Sequence, residues 1–463
     1  MNYLTLVNKE HKIKDSYLEK VMFTQALNVV LEKTQIEQKT YDKYLELKEF
    51  LKSKNIIIGI DTAYRDEAYQ QKIWDFFEKE KGKEYCNNYV APVGYSEHHT
   101  GLAIDISLKI NGSFLIDNGD LLKYDEDFKQ IHPYLKDFGF ILRYPKGKEK
   151  ITGYNYEPWH IRYVGKIPAK IIYENNLCLE EYLNGFGGVI VVNKEKGMTS
   201  FDVVNEVSHI LGIKRIGHTG TLDPLATGVL VLTIGRFTKL GEDLSSLDKE
   251  YVATLKIGIL TDTLDIEGNK ISENNNKPLN LEETLKLFKK TYMQEVPKYS
   301  AVKVNGKKLY QYAREGIDIE LPKKKVTIKE IELLDLDNDL FSFRTVVSKG
   351  TYIRSLIRDI GNSCNTLMTM TDLKRTRQGK FRIEDSYTLD DIRNSRFKIL
   401  SLLDVLDYKV IEVDYNLYKK ISNGVVIENS FDIEDKVIFK YNDKLIAIYK
   451  KDNNLLRMYK KID

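Results

Sequence analysis

The stretch Asn184-Gly185-Phe186-Gly187-Gly188, followed at once by Val189-Ile190-Val191-Val192, decides how this chain divides. Three glycines in five residues interrupt a helical pattern running from Ile167 to Leu183, and the β-branched run after them reads as a buried strand. The chain has 463 residues, and at roughly 100–200 residues per domain that allows about three domains. Side-chain usage changes at the same point. Five of the seven histidines (His11, His98, His99, His132 and His160) precede it. Before residue 186 stand 26 basic and 28 acidic side chains, and after it 45 and 40, so the two parts carry −2 and +5 within a total of +3. A polyanionic partner therefore belongs with the second part. A weaker division falls near residue 405. Beyond it, alternating runs such as Lys436-Val437-Ile438-Phe439-Lys440 and Lys444-Leu445-Ile446-Ala447-Ile448-Tyr449 read as strands of a small β domain. The expected domains are 1–185, 186–404 and 405–463.

Composition excludes several classes. Hydrophobic residues make up 42% and charged residues 30%, as in ordinary globular chains. No apolar stretch approaches the ~18–20 residues needed to span a bilayer. The N-terminus reaches Lys9, Glu10 and Lys12 before an apolar signal segment forms. Cys86, Cys178 and Cys364 match neither a zinc spacing nor a disulfide framework. The chain reads as cytoplasmic, reduced and without a membrane partner. Amphipathic helices are expected near 15–33, 38–53 and 66–80, with strands at Asn55–Ile60, Leu102–Leu108 and Ile161–Val164. In the second part, Thr199-Ser200 caps a helix whose Val203, Val204, Val207, Ile210 and Leu211 share one face. This mixed order makes both parts α+β.

In the first part, Ser96-Glu97-His98-His99-Thr100-Gly101-Leu102-Ala103-Ile104-Asp105 runs from a polar loop into an apolar strand carrying an aspartate. Glu157-Pro158-Trp159-His160-Ile161-Arg162-Tyr163 follows farther on. Two histidines and a carboxylate from separate segments can form a three-ligand zinc site with an open fourth position. An unliganded glutamate is what such a site needs to move protons. Glu157 and His160 stand three apart, which would face them oppositely on a continuous strand, and Pro158 permits a turn that removes the objection. Taken singly, each of these residues also fits a solvated or turn-forming role.

The two segments resemble the SxHxxGxAxD and ExxH signatures of the VanY-type zinc D-Ala-D-Ala carboxypeptidases, a group that includes L,D-carboxypeptidases of peptidoglycan. The resemblance covers most of residues 1–185. It implies His98, Asp105 and His160 as zinc ligands and Glu157 as catalytic base. Tyr64-Arg65 followed by Gln70 matches the family's Tyr-Arg-x4-Gln element, implying that Arg65, with Gln70 and Ser96, binds a peptide ending in D-Ala; a guanidinium suits the terminal carboxylate. Asp61-Thr62-Ala63 departs from the family's usual Ser-Gly before Tyr-Arg, which concerns the pocket wall and not the metal. His99, His132 and His11 are left as bystanders. The alternative for this part is a binding or structural module without catalysis.

In the second part, Arg215-Ile216-Gly217-His218-Thr219-Gly220-Thr221-Leu222-Asp223-Pro224-Leu225-Ala226-Thr227-Gly228 leads into the buried strand Val229–Ile234. Flanking glycines let backbone approach a ligand closely, although an Asp-Pro in such a loop is by itself most often a turn. Ser348-Lys349-Gly350-Thr351-Tyr352-Ile353-Arg354 places Tyr352 and Arg354 on one face if extended. Lys249-Glu250-Tyr251 opens another strand. Leu373 precedes a cluster of Lys374, Arg375, Arg377, Lys380 and Arg382, readable as a solvated face or as a phosphate-binding surface.

These blocks, in order from about Gly187 to the C-terminus, resemble the tRNA pseudouridine synthase B (TruB) family, which isomerises uridine 55 of the tRNA T-loop. The resemblance implies a cofactor-free isomerase. Asp223 would be the essential carboxylate, as nucleophile or as base, with Arg354 paired to it. Tyr251 would stack on the flipped uracil, Tyr352 would lie near C5, and Leu373 would line the apolar wall. His218 would fill the space left by the everted base. Lys194, Lys303 and Arg314 are RNA-contact candidates, and Asn193-Lys194-Glu195-Lys196-Gly197 lacks the family's proline. Residues 405–463 resemble a PUA-like domain that grips the tRNA acceptor stem. The alternative for this part is a tRNA-binding chaperone without chemistry.

Overall fold

The computed structural model describes residues 2–116 and 121–462. They form two compact units, Met1–Phe186 with Ile210–Ile213, and Gly187–His209 with Lys214–Asp463.

The first unit opens differently from expectation. Residues 15–33 hold only a one-turn helix α1 (Asp15–Leu18) and then an antiparallel hairpin of β1 (Phe23–Leu27) and β2 (Lys33–Glu37). Asn28 nucleates its turn, because its side-chain oxygen accepts from the Val30 and Glu32 amides at 3.1 and 2.8 Å. Helix α2 (Gln38–Lys52) is capped by Glu37, which accepts from the Thr40 amide, and α3 (Glu67–Lys81) by Asp66, which accepts from Tyr69. A short α4 (Lys83–Tyr89) follows. The central sheet has the order β3 (Ile58–Thr62), β4 (Ala103–Ile110), β6 (His160–Tyr163), β5 (Phe140–Leu142). Ile58, Ile60, Ile104, Ile106 and Ile161 pack with Tyr44, Leu47 and Leu51 of α2 into one core. The helical pattern after Ile167 is shorter than expected: α5 covers Lys166–Glu174, and only a separate turn at Glu181–Gly185 follows.

The second unit is built on a nine-stranded sheet. Its main path runs β11 (Thr291–Glu295), β12 (Lys323–Asp337), β13 (Leu340–Val347), β10 (Lys249–Ile257), β14 (Met368–Gln378), β9 (Thr227–Gly235), β7 (Gly187–Lys194). The short β8 (Ile216–His218) and β15 (Phe381–Arg382) pair with β9 and β14. Strand β9 is mostly apolar and almost wholly buried, as a central strand covered on both faces requires. Strand β10 alternates buried and half-buried positions, so Tyr251 points to the side opposite Glu250. Helix α6 (Ser200–Leu211) buries Val203, Val204, Val207 and Leu211, and α7 (Ile353–Ser363) packs against β14. A five-stranded sheet ends the chain in the order β16 (Lys409–Glu412), β18 (Lys436–Tyr441), β19 (Lys444–Asp452), β20 (Leu455–Lys461), β17 (Ile427–Glu428), with α8 (Tyr415–Ser422) beside it. The architecture is α+β with a small β-rich end. Among the described residues no helix is long and apolar enough to cross a membrane.

Two candidate active sites

In the first unit, strand pairing assembles the site. Asp105 of β4 lies opposite His160 of β6 on one side and Thr62 of β3 on the other. The residues Glu157–Trp159 form a turn and β6 starts at His160, so Glu157 and His160 converge, with His160 Nδ1 3.2 Å from the glutamate. His98 is supplied by the one-turn segment Glu97–Thr100, which Ser96 caps by accepting from the His98 amide at 3.3 Å. The His98 Nδ1–H donates to the Ala63 carbonyl at 2.6 Å, so Nε2 faces Asp105 at 3.2 Å. His160 Nδ1 lies 3.2 Å from the other Asp105 oxygen. Donor atoms of His98, Asp105 and His160 all lie within 4.8 Å of one another, and all three residues are buried. A tetrahedral centre with bonds of about 2.0–2.1 Å needs ligand-to-ligand edges of about 3.3 Å, so two imidazoles and a carboxylate this close are the right donors for a zinc ion and need only draw together slightly to hold it.

Electrostatics around the triad follow from burial and charge. Desolvation takes His98 down to about 4. Burial opposes charge on His160 too, but Asp105 and Glu157 outweigh it and lift His160 to about 9. Burial raises Glu157 above the ordinary carboxylate range, and burial with the neighbouring Asp105 carries Asp61 to about 6. The cleft above these residues has a volume of about 310 Å³, and Arg65, Ser96, Tyr89, Tyr154 and Trp159 contribute to its wall. Arg65 Nη2 stands 2.6 Å from Asp105.

Two expectations for this site need correction. Gln70 is fully buried and its amide donates to the Ala91 carbonyl at 2.7 Å, so it props the wall from behind and does not line the cleft. His99 is no bystander. It is buried, donates through Nδ1 to the Arg65 carbonyl at 2.6 Å and accepts the Gly94 amide at Nε2, which fixes the backbone of Arg65. The sequence reading also passed over Glu97. Its carboxylate is fully buried between Arg143 Nε at 2.8 Å and Arg162 Nη1 at 2.7 Å, and 4.0 Å from His160 Nε2. Burial raises its pKa, and the two guanidiniums more than reverse that, holding it below the ordinary value.

In the second unit, the loop between β8 and β9 carries Asp223, and α7 brings Arg354 to it. Arg354 Nη2 stands 3.0 Å from Asp223 Oδ2. The same guanidinium donates to the Tyr299 carbonyl at 3.0 Å and the Thr263 carbonyl at 2.8 Å, and lies 3.4 Å from Asp265. Asp265, which the sequence reading missed, is buried and itself held by Thr263 Oγ1 at 2.7 Å. A shared extended face does not explain the pairing of Tyr352 with Arg354: Tyr352 is the extended N-cap, and Arg354 lies inside the first turn of α7. The Gln294 side chain clamps the Tyr352 backbone at both ends, accepting from its amide at 2.8 Å and donating to its carbonyl at 3.2 Å. A cavity of about 420 Å³ opens over Asp223, with His218, Tyr251, Tyr352, Arg354 and Leu373 in its wall.

Expected RNA cations divide. Lys303 and Arg314 are exposed, the latter with its guanidinium 5.3 Å from the Tyr310 ring. Lys194 is not a surface cation. It is 1% exposed, and its Nζ donates to the carbonyls of Glu195, Met198 and Pro224, tying the end of β7 to the residue after Asp223. Burial brings it down to about 8. Arg375 likewise leaves the phosphate cluster: it is 1% exposed and bonded to backbone around the Asp223 loop. Of that cluster, Arg377 pairs with Glu250 and Lys380 with Asp407, while Lys374 and Arg382 are exposed.

Comparison with known proteins separates the same two parts. Residues 208–353 match the family model for the TruB family pseudouridylate synthase N-terminal domain, and residues 33–166 that for D-alanyl-D-alanine carboxypeptidase, VanY. The chain is 44% identical over 286 residues to tRNA pseudouridine synthase B of Fusobacterium nucleatum subsp. nucleatum, covering 59% of this chain and 99% of that one. It is 39% identical over 276 residues to the enzyme of the same name from Clostridium kluyveri, covering 58% and 93%. Among solved structures it is similar to a vancomycin resistance D,D-pentapeptidase VanY in complex with Zn(II), at 32% identity over 40% of this chain and 100% of that one, with a TM-score of 0.35.

Proposed function

Since this chain belongs to the tRNA pseudouridine synthase B family and carries a VanY-type D-alanyl-D-alanine carboxypeptidase unit before it, we propose that it converts uridine 55 of the tRNA T-loop to pseudouridine and, at the separate first-unit site, releases C-terminal D-alanine from peptidoglycan-type peptides. The observation that carries the first activity is the 3.0 Å pair of Asp223 and Arg354 beneath a cavity sized for a nucleotide. The isomerisation breaks C1′–N1, turns the uracil and joins C1′ to C5, after which the C5 proton leaves; atoms balance without a cofactor. Asp223 acts on the everted nucleotide as nucleophile or base, and Arg354 pairs with it and holds it aimed. Tyr251 carries the base, Tyr352 stands near C5, Leu373 supplies apolar wall, and His218 occupies the space the base vacates. Lys303 and Arg314 contact the RNA, and residues 405–463 grip the acceptor stem.

At the first site His98, Asp105 and His160 would hold zinc, which when bound supplies Lewis-acid polarisation of the scissile carbonyl. Arg65 binds the terminal carboxylate beside Ser96. Glu157, as the carboxylate, takes a proton from the attacking water and, once protonated, returns it to the leaving amine. The substrates are cytoplasmic precursor or recycled peptides.

Both activities are tested on one preparation. Purified protein is expected to contain about one zinc per chain by the three-ligand stoichiometry, to release D-alanine from a precursor pentapeptide, and to place pseudouridine at position 55 of an unmodified tRNA transcript. Zinc-free protein in which His98→Ala changes nothing would defeat the peptidase reading. Pseudouridine elsewhere, or none, would defeat the other.

A further inference from the structure

Arg375 occupies a place in the second unit that the proposed chemistry leaves unexplained. On β14 its backbone lies between two strands, opposite Tyr251 of β10 on one side and Gly228 of β9 on the other. A bulge between Glu250 and Tyr251 leaves Thr376 as the extra residue beside this position, and such bulges re-aim side chains next to functional sites. Close approach on the other side needs a glycine: a Cβ at Gly228 would sit 2.2 Å from the Arg375 carbonyl oxygen.

The side chain joins three separate segments. Nε donates to the Tyr251 hydroxyl at 3.2 Å, Nη1 to the carbonyls of Gly220 and Val229 at 3.1 Å each, and Nη2 to the Thr221 carbonyl at 2.9 Å. Gly220 and Thr221 belong to the loop that presents Asp223, and Arg375 lines the cavity with them. Among the described residues no carboxylate pairs with it. A buried cation without an anion is costly, and packing alone would be served as well by an apolar side chain of similar volume. Acceptors this far apart match the planar fork of a guanidinium and not the point charge of an ammonium.

We propose that Arg375 is a positioning residue that locks the Tyr251 ring to the backbone of the Asp223 loop, so that a base stacked on the ring is held in register with the carboxylate. The proposal rests on the synthase reading above. It differs from the role of Arg354, which touches Asp223 itself; Arg375 acts through Tyr251 and the loop.

The test uses full-length Arg375→Lys, Tyr251→Phe and the double variant on unmodified tRNA transcript, with single-turnover rate and equilibrium affinity measured separately. Arg375→Lys keeps the charge and loses the fork. Its single-turnover rate is expected to fall about 100-fold, the scale of a 1 Å misplacement, with affinity changed by no more than about 3-fold. Tyr251→Phe removes only the acceptor and is expected to slow the reaction about 10-fold; added to Arg375→Lys it should cost nothing more, because the two groups share one interaction. Multiplying effects, a rate loss matched by affinity loss, or an Arg375→Lys rate within about 3-fold of wild type would overturn the proposal. Should Arg375→Lys fail to fold, an unchanged rate in Tyr251→Phe overturns it alone. Wild-type protein that forms no pseudouridine would instead defeat the synthase reading.

Discussion

Replacing Glu97 with glutamine tests the buried charge cluster beneath the first-unit site. The substitution keeps shape and removes charge. Arg143 retains Glu180, which it meets through two bonds of 2.6 and 3.0 Å. Arg162 retains, among the described residues, only the carbonyls of Tyr3, Thr5 and Tyr163. Glu97, Arg143 and Arg162 side chains are all 0% exposed, so one guanidinium is left buried without a counter-charge, a change that typically costs about 3–5 kcal/mol. At a urea slope of about 2 kcal/mol per molar, the midpoint of the first unit should fall by about 2 M. Both tryptophans, Trp74 and Trp159, lie in this unit, so tryptophan emission follows its unfolding selectively. The Glu97 pKa is lowered on folding; its contribution is therefore complete above the unfolded carboxylate value and is lost as pH falls through the folded one. Wild type and Glu97→Gln should differ fully at neutral pH and converge in acid. A midpoint shift below about 0.5 M at pH 7 would refute the reasoning, because it would mean the desolvated pair contributes less than an exposed one.

Three other outcomes follow from particular contacts. Gly228→Ala places a methyl against the Arg375 carbonyl at a φ of +99°; it should cost at least about 1–3 kcal/mol in the second unit, measured by far-UV circular dichroism in urea. Burial lowers Lys194 and Lys249 to about 8, so between about pH 8 and the unfolded value of 10.5 the unfolded chain binds more protons and these groups make stability rise with pH. Urea midpoints of Lys194→Met should therefore climb less than those of wild type from pH 8 to 10. Zinc at about 100 times its dissociation constant should stabilise the first unit by about 2.7 kcal/mol, followed by tryptophan emission, with no effect in His98→Ala.

Motif order made the two parts legible. His98, Asp105, His160 and Glu157 stand together as the sequence suggests, because the motifs that carry them are contiguous segments, and the pairing of Asp105 with His160 joins two apolar strands that are each visible in the sequence. Other features depend on distant partners. The hairpin at Phe23–Glu37 overlaps the stretch near 15–33 expected to be helical; its two strands pair with each other, and the Asn28 turn is the local signal that points to it. Glu97 owes its role to Arg143 and Arg162, 46 and 65 residues away, and nothing in its spacing announces them. Lys194 is an RNA-contact candidate in the sequence, and Arg375 belongs to a cluster readable as a solvated face or a phosphate surface, because charge in a sequence does not disclose burial; backbone carbonyls, which every residue carries, accept from both. Asp265 was missed for a related reason, since its partner Arg354 arrives from another segment.

The central claim is that one chain holds two separate active sites, one centred on Asp223 and one on Glu157. Incubating intact wild type, Asp223→Asn and Glu157→Gln with tRNA and a precursor pentapeptide together, and quantifying pseudouridine and free D-alanine by mass spectrometry, tests it directly. Asp223→Asn should lose at least about 10³-fold in isomerisation and keep D-alanine release, and Glu157→Gln should show the reverse. Loss of both products in either variant, or of neither, would contradict the account.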